Sequence, residues 1–169
     1  KGELSFYAPL FKEIEFRSLY FGGGTPSILE AGQISDLLQT INSHYKIGGD
    51  CFRTFECNPD STTGEKLRVL KDGGINRVSF GVQSLDPKVL ELANRGYQTY
   101  GHVKTAVEQA KELGFREINV DLVFGLEGDT KKTFLNSLEK ITRLRPNRIG
   151  PRRRQSESPK PRRRPTTRK

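Results

Sequence analysis

In the stretch Glu117–Phe124 the bulky apolar residues fall on every second position. Ile118, Val120, Leu122 and Phe124 share one face, while Asn119, Asp121 and Val123 share the other. A period of two describes a strand with two unlike faces. The division recurs upstream. In Asn76–Gln83, Val78, Phe80 and Val82 oppose Ser79, Gly81 and Gln83. In Phe52–Asn58, Phe55 and Cys57 oppose Thr54, Glu56 and Asn58; in Arg17–Phe21, Leu19 and Phe21 oppose Ser18 and Tyr20, with Gly22 next on that side.

Helix-spaced stretches separate these strands. A first helix is expected over Leu4–Phe16, from the spacing of Leu10, Phe11 and Ile14, and a second from Ile34, Leu37, Leu38 and Ile41, closing near Gly48-Gly49. Leu67 and Leu70 mark a third, capped at Ser61 or Thr62 and ended at Gly73-Gly74. Asp86-Pro87 opens a helix through Val89, Leu90 and Ala93. Val103, Ala106, Val107, Ala110 and Leu113 define another, and Thr130 caps one carrying Phe134, Leu138 and Ile141. A last strand begins at Asn147-Arg148-Ile149.

Repeated strand–helix order implies a parallel sheet. A doubly wound sheet buries both faces and reads as apolar throughout. A tightly closed barrel fills its interior with bulky branched residues. Here the second face carries Glu, Gln, Asp, Asn and Ser, so it lines a wet cavity. The expected fold is α/β: a partial, open parallel (β/α) barrel with its site inside. The polar positions fall near the C-terminal ends of successive strands, where such barrels bind ligands.

The first strand runs into Gly22-Gly23-Gly24-Thr25-Pro26. Adjacent glycines are kept where a Cβ would collide with something, and at the C-terminal end of a strand that something is usually a ligand. The turn is neither a P-loop nor a Gly-x-Gly-x-x-Gly fingerprint. A carboxylate at Glu56 or Asp121 can accept from hydroxyls or an ammonium, and Gln83 can both donate and accept.

Charge separates the ends of the chain. Of 29 basic and 20 acidic residues, nine basic and one acidic lie in 151–169, so the remainder is close to neutral. Residues 151–169 contain no Val, Ile, Leu or Phe and are expected to be a basic disordered tail beyond a barrel domain at 1–150. The tail is not assigned to nucleic acid, because basic tails are common. No apolar run approaches a membrane span. The two cysteines, Cys51 and Cys57, fit neither a disulfide framework nor a familiar metal motif and read as reduced thiols of a cytoplasmic protein. His44 and His102 read as surface residues. No metal ligand is assigned. The chain opens at Lys1 and has no methionine, which reads as a piece of a longer protein.

Five motifs in order carry a resemblance: Tyr20-Phe21-Gly22-Gly23-Gly24-Thr25-Pro26-Ser27, Phe55-Glu56-Cys57-Asn58-Pro59, Arg77 through Ser84, Asn94-Arg95-Gly96, and Asn119 through Leu126. Together they resemble the radical S-adenosylmethionine enzymes of the oxygen-independent coproporphyrinogen III oxidase class, over Leu10 to Ile149. The resemblance implies that Gly22, Gly23, Gly24 and Thr25 hold the methionine end of S-adenosylmethionine and that Glu56 contacts it. Gln83, Arg95 and Asp121 match positions that help bind a second S-adenosylmethionine. It also implies a 4Fe–4S cluster that reduces the sulfonium, giving a 5′-deoxyadenosyl radical. That radical abstracts hydrogen from a porphyrinogen propionate, and decarboxylation follows. The cluster motif Cys-x-x-x-Cys-x-x-Cys, expected before the first helix, is absent, so the ligands are not in this chain. The expectation is an inactive fragment of a monomeric enzyme acting on a small molecule. Two alternatives stand beside it: a haem-binding, haem-trafficking relative without oxidase activity, and a non-radical barrel enzyme holding a phosphorylated ligand at the glycine turn.

Overall fold

The computed structural model describes residues 2–153. Its elements run α1 (Gly2–Tyr7), a 3₁₀ turn (Ala8–Phe11), β1 (Glu15–Phe21), a 3₁₀ turn (Pro26–Ile28), α2 (Ala31–His44) and β2 (Lys46–Cys57). They continue through α3 (Gly64–Asp72), β3 (Arg77–Gln83), α4 (Pro87–Leu92), α5 (Tyr100–Glu112), β4 (Glu117–Phe124), α6 (Lys131–Arg143) and β5 (Arg148–Arg153). The five strands are parallel and lie side by side in chain order. The sheet curls into a half-barrel, the open α/β barrel that the strand faces imply. Among the described residues no helix is long and apolar enough to cross a membrane.

The apolar faces meet the helices as their alternation requires. Phe55, Val78, Phe80, Val82, Val120 and Leu122 are fully buried and form one core with Ile34 and Leu38 of α2, Leu67 and Leu70 of α3, Val103 and Val107 of α5, and Ile141 of α6. Cys57 lies in this core, turned away from the polar face. The helix starts follow local chemistry. Asp86 accepts from the Lys88 and Val89 amides, with Pro87 first in α4, and Thr130 accepts from the Thr133 amide. The cap of α3 is Thr63 rather than Ser61 or Thr62, since Thr62 Oγ1 is bonded back to the Asn58 carbonyl.

Three boundaries differ from expectation. The first helix ends at Tyr7 instead of reaching Phe16. Pro9 tightens the chain into a 3₁₀ turn, and Glu15 and Phe16 already pair with Lys46 and Ile47. Gly48-Gly49 does not close α2, which stops at His44; the glycines lie inside β2, where the register with β1 shifts between Phe16 and Ser18. Asn76 braces that irregular stretch, accepting from the Arg53 amide and donating to the Cys51 carbonyl. Lastly, β5 runs to Arg153, three residues into the segment assigned to the tail; the rest of that segment lies outside the described residues.

Candidate ligand site at the strand ends

The polar face becomes a layered network. In the lower layer Ser79 pairs in register with Asn119, and the Asn119 amide donates to Ser79 Oγ at 2.8 Å. One layer nearer the strand ends lies Asp121, flanked in register by Gly81 and Gly150. Its carboxylate accepts from Ser79 Oγ at 3.0 Å and from Asn119 Nδ2 at 3.1 Å. The side chain is only 14% exposed. Gly150 is required here by close approach, because a Cβ at that position would run into Asp121 Oδ1.

Glu56 accepts a short hydrogen bond from the Tyr20 hydroxyl. That bond, reinforced by partial burial and by the Glu56 charge, raises the Tyr20 phenol above its ordinary value. Gly22 leaves the room for this pair: a Cβ there would lie 2.9 Å from Glu56 Oε2 and against the Tyr20 ring. Gly23 supplies the bend with φ of +112°. The turn is held to the end of β2 through the buried Ser27, whose Oγ accepts from the Asn58 amide at 2.9 Å.

Gln83 ends β3 with φ of +68°, where the β3–β4 register shifts. A non-glycine residue in this region stores strain of about 1–3 kcal/mol, which is characteristic of functional sites. Arg95 is projected by a left-handed turn at Asn94 (φ +55°), closed by the Arg95 amide donating to Leu90. Its guanidinium donates to the Gly81 carbonyl at 3.0 Å and to Asn58 Oδ1 at 3.4 Å.

Gly24, Thr25, Glu56, Gln83, Arg95 and Asp121 therefore line one cavity of about 150 Å³. Gly22 and Gly23 do not line it: Gly22 backs Glu56 and borders a second cleft of about 420 Å³ with Tyr20 and Ile28. Residues absent from the expected site belong to it as well: Pro26, Cys57, Asn58, Ser79, Gly81 and Arg152 line the cavity, and Tyr20 stands behind Glu56. Tyr20 orients Glu56, Asn58 meets Arg95, and Arg152 lines the cavity beside Asp121. Tyr20 and Asn58 already stand on the polar faces of their strands. Arg152 carries no such signal, since an arginine run without apolar neighbours does not read as a strand.

A profile of the radical SAM superfamily matches residues 7–141. The chain belongs to the radical SAM superfamily. Its relatives include the heme chaperone HemW of Bacillus subtilis, 39% identical over 125 residues, a match covering 73% of this chain and 33% of that protein. The oxygen-independent coproporphyrinogen III oxidase of Pseudomonas aeruginosa is 34% identical over 142 residues, covering 83% of this chain and 31% of the oxidase. Among solved structures, coproporphyrinogen III oxidase (HemN) from Escherichia coli superposes with a TM-score of 0.83 at 32% identity, covering 89% of this chain and 35% of that one. This radical SAM chain thus spans about a third of the length of these relatives.

The family implies S-adenosylmethionine and a 4Fe–4S cluster, and the residues present answer differently to each. Two carboxylates, two guanidiniums, an amide and an open glycine turn suit a ligand carrying hydroxyls, an ammonium and a carboxylate. Asn119 Oδ1, buried below Asp121, has no hydrogen-bond partner and leaves that layer able to take a further donor. A cavity of about 150 Å³ is smaller than the ~300–1,000 Å³ that encloses a drug-sized ligand, so this chain would cover part of one. The cluster finds no fit. Such a cluster is held by several thiolates, and no group of three metal-ligating side chains occurs among the described residues. Burial pushes the Cys57 thiol up to about 12. We expect iodoacetamide at pH 8 to label the half-buried Cys51 and leave Cys57 unmodified until the chain unfolds. Peptide mass spectrometry reads this directly, and native labelling of Cys57 would contradict its placement.

The raised Tyr20 phenol gives a second expectation. Its contribution to stability is fully present below the unfolded value of about 10 and is lost as pH rises through the higher folded value. The absorbance difference at 295 nm between the chain and Tyr20→Phe should therefore titrate with a midpoint above 10. A midpoint at or below that value would mean the bond to Glu56 is not formed in solution.

Proposed function

We propose that this chain is the S-adenosylmethionine-binding part of a radical SAM core of the coproporphyrinogen III oxidase class. The supporting observation is the convergence of Glu56, Gln83, Arg95 and Asp121 with the glycine turn around one cavity. The resemblance divides these residues between two ligands, but a cavity of this volume holds part of a single one. Glu56 and the Gly24-Thr25 end of the glycine turn receive the amino-acid end. Asp121 accepts from hydroxyls or an ammonium, Arg95 offers its remaining guanidinium donors to a carboxylate, and Gln83 bridges them as donor and acceptor.

Tyr20 remains protonated at neutral pH, so it donates to one Glu56 oxygen and leaves the other for ligand. Ser79 and Asn119 fix Asp121 in the same manner, which lowers the cost of ordering on binding. When bound, S-adenosylmethionine supplies a sulfonium that can be reductively cleaved. The described residues offer no set of thiolates for a cluster, so the radical chemistry belongs to the whole protein in this reading. The whole protein acts on a porphyrinogen as a monomeric, cytoplasmic enzyme in this reading.

The higher identity to the heme chaperone from B. subtilis favours a second reading, in which the ligand served by the whole protein is haem. Isothermal titration of the 169-residue chain with S-adenosylmethionine tests the site. Saturable one-to-one binding, reduced in Glu56→Gln, is expected, and the absence of binding would overturn the assignment. Titration with hemin, followed at the Soret band, separates the two readings of the parent protein. Anaerobic reconstitution with iron and sulfide should give no stoichiometric 4Fe–4S absorbance.

A further inference from the structure

The pairing of β5 with β4 places Gly150 opposite Asp121 and Arg152 opposite Val123. Alternation along the strand then puts Arg152 on the same face as Gly150, one layer nearer the strand ends. Its Nε lies 3.6 Å from Asp121 Oδ1, and the side chain lines the ligand cavity. Because Gly150 has no Cβ, the Asp121 carboxylate stands close against β5, within reach of this guanidinium. The positive charge is felt further in: it opposes the rise of the Tyr20 phenol beside Glu56.

The two partners are held unequally. Asp121 is 14% exposed and fixed by Ser79 and Asn119, whereas Arg152 is 66% exposed on a flexible stem. Arg95, the other cation lining the cavity, is engaged by the Gly81 carbonyl and Asn58. Among the described residues, Asp121 is the one ion-pair partner of Arg152. The carboxylate is thus a fixed socket and the guanidinium a mobile plug.

We propose that Arg152 is a built-in competitor for the ligand site, its guanidinium lying on the Asp121 carboxylate and having to swing out before a ligand can use that carboxylate. This rests on reading the cavity as the S-adenosylmethionine site. S-adenosylmethionine carries both a sulfonium and an ammonium, so Arg152 opposes it twice, by occupying Asp121 and by like-charge repulsion. S-adenosylhomocysteine lacks the sulfonium charge and is opposed less. Arg152 therefore biases the pocket against the more cationic of two ligands of nearly identical shape.

Titration calorimetry on the full chain, Arg152→Gln and Arg152→Lys tests the competition. For S-adenosylmethionine at low salt, Arg152→Gln should bind about two- to fivefold tighter than the parent chain, the range for an exposed ion pair. Arg152→Lys should stay near the parent value, the gain for S-adenosylhomocysteine should be smaller, and the gap should close as salt screens the pair. Equal affinity of Arg152→Gln and the parent would make Arg152 a bystander, and weaker binding would make it a ligand contact; either overturns the proposal. A ligand-free readout stands apart from the site assignment. The Arg152 Nε–H should exchange with solvent more slowly in the parent chain than in Asp121→Asn, measured by nitrogen-15 NMR, and equal rates would refute the contact. If no form binds S-adenosylmethionine while the exchange difference persists, the ligand assignment and the competition both fall, although the contact stands.

Discussion

Replacing Asp121 with alanine should weaken S-adenosylmethionine binding by about ten- to one-hundredfold, the loss of a hydrogen bond to a charged group worth about 1.5–3 kcal/mol. The effect is expected to be large because the carboxylate is already oriented. Ser79 Oγ and Asn119 Nδ2 hold it at 3.0 and 3.1 Å, so little ordering remains to be done when ligand arrives. Alanine also removes an acceptor from those two donors. Asn119 keeps its bond to Ser79, which limits the damage to the fold. Asp121→Asn separates the two contributions, as it preserves shape and removes charge. Calorimetry should show Asp121→Asn with most of the affinity loss, and urea melts should show it with little loss of stability. Unchanged affinity in both variants would remove Asp121 from the site.

The second large effect concerns the other face of the same sheet. Phe80 is fully buried on β3, the middle strand, paired in register with Cys57 on one side and Val120 on the other. Its ring fills the layer between the sheet and the helices. Phe80→Ala removes that volume where neighbours on both strands are fixed by the ladder, so the cavity cannot collapse. A loss of about 3–5 kcal/mol is expected, out of a total near 5–15 kcal/mol for a domain of ordinary stability. The urea midpoint, followed by circular dichroism, should fall steeply or the variant should fail to fold. Phe6→Ala, at a side chain 75% exposed on α1, provides the control and should shift stability by no more than about 0.5 kcal/mol. Comparable losses in the two variants would contradict the assignment of the core.

Both expectations exploit the period of two, and that pattern made most of the fold legible. Phe80 and Asp121 are assigned to opposite faces by alternation alone, and the open parallel barrel follows from the polarity of one face. Glu56, Gln83, Arg95 and Asp121 could be named because strand ends and motif order place them, and the folded chain sets all four on one cavity. Other features were hidden for physical reasons. Lys46–Cys57 contains Gly48-Gly49 and an interrupted register, so its pattern mimics a helix end followed by a short strand. Pro9 broke a helix whose apolar spacing looked continuous. Arg152 was invisible because β5 takes its place from backbone pairing with β4, a long-range contact that composition cannot report. Tyr20 was visible on the right face, yet only the folded distance shows that its hydroxyl serves Glu56.

Among the described residues, β1 and β5 form the two borders of the sheet. An unpaired strand border is a template for another chain, and sheets of this kind are prone to stack edge to edge. The composition of β5, Arg148-Ile149-Gly150-Pro151-Arg152-Arg153, works against that outcome. Proline removes one backbone donor from the ladder, and a second copy docking strand to strand would bring arginine against arginine. The residues that make β5 an improbable strand to read also make it a poor seed for aggregation.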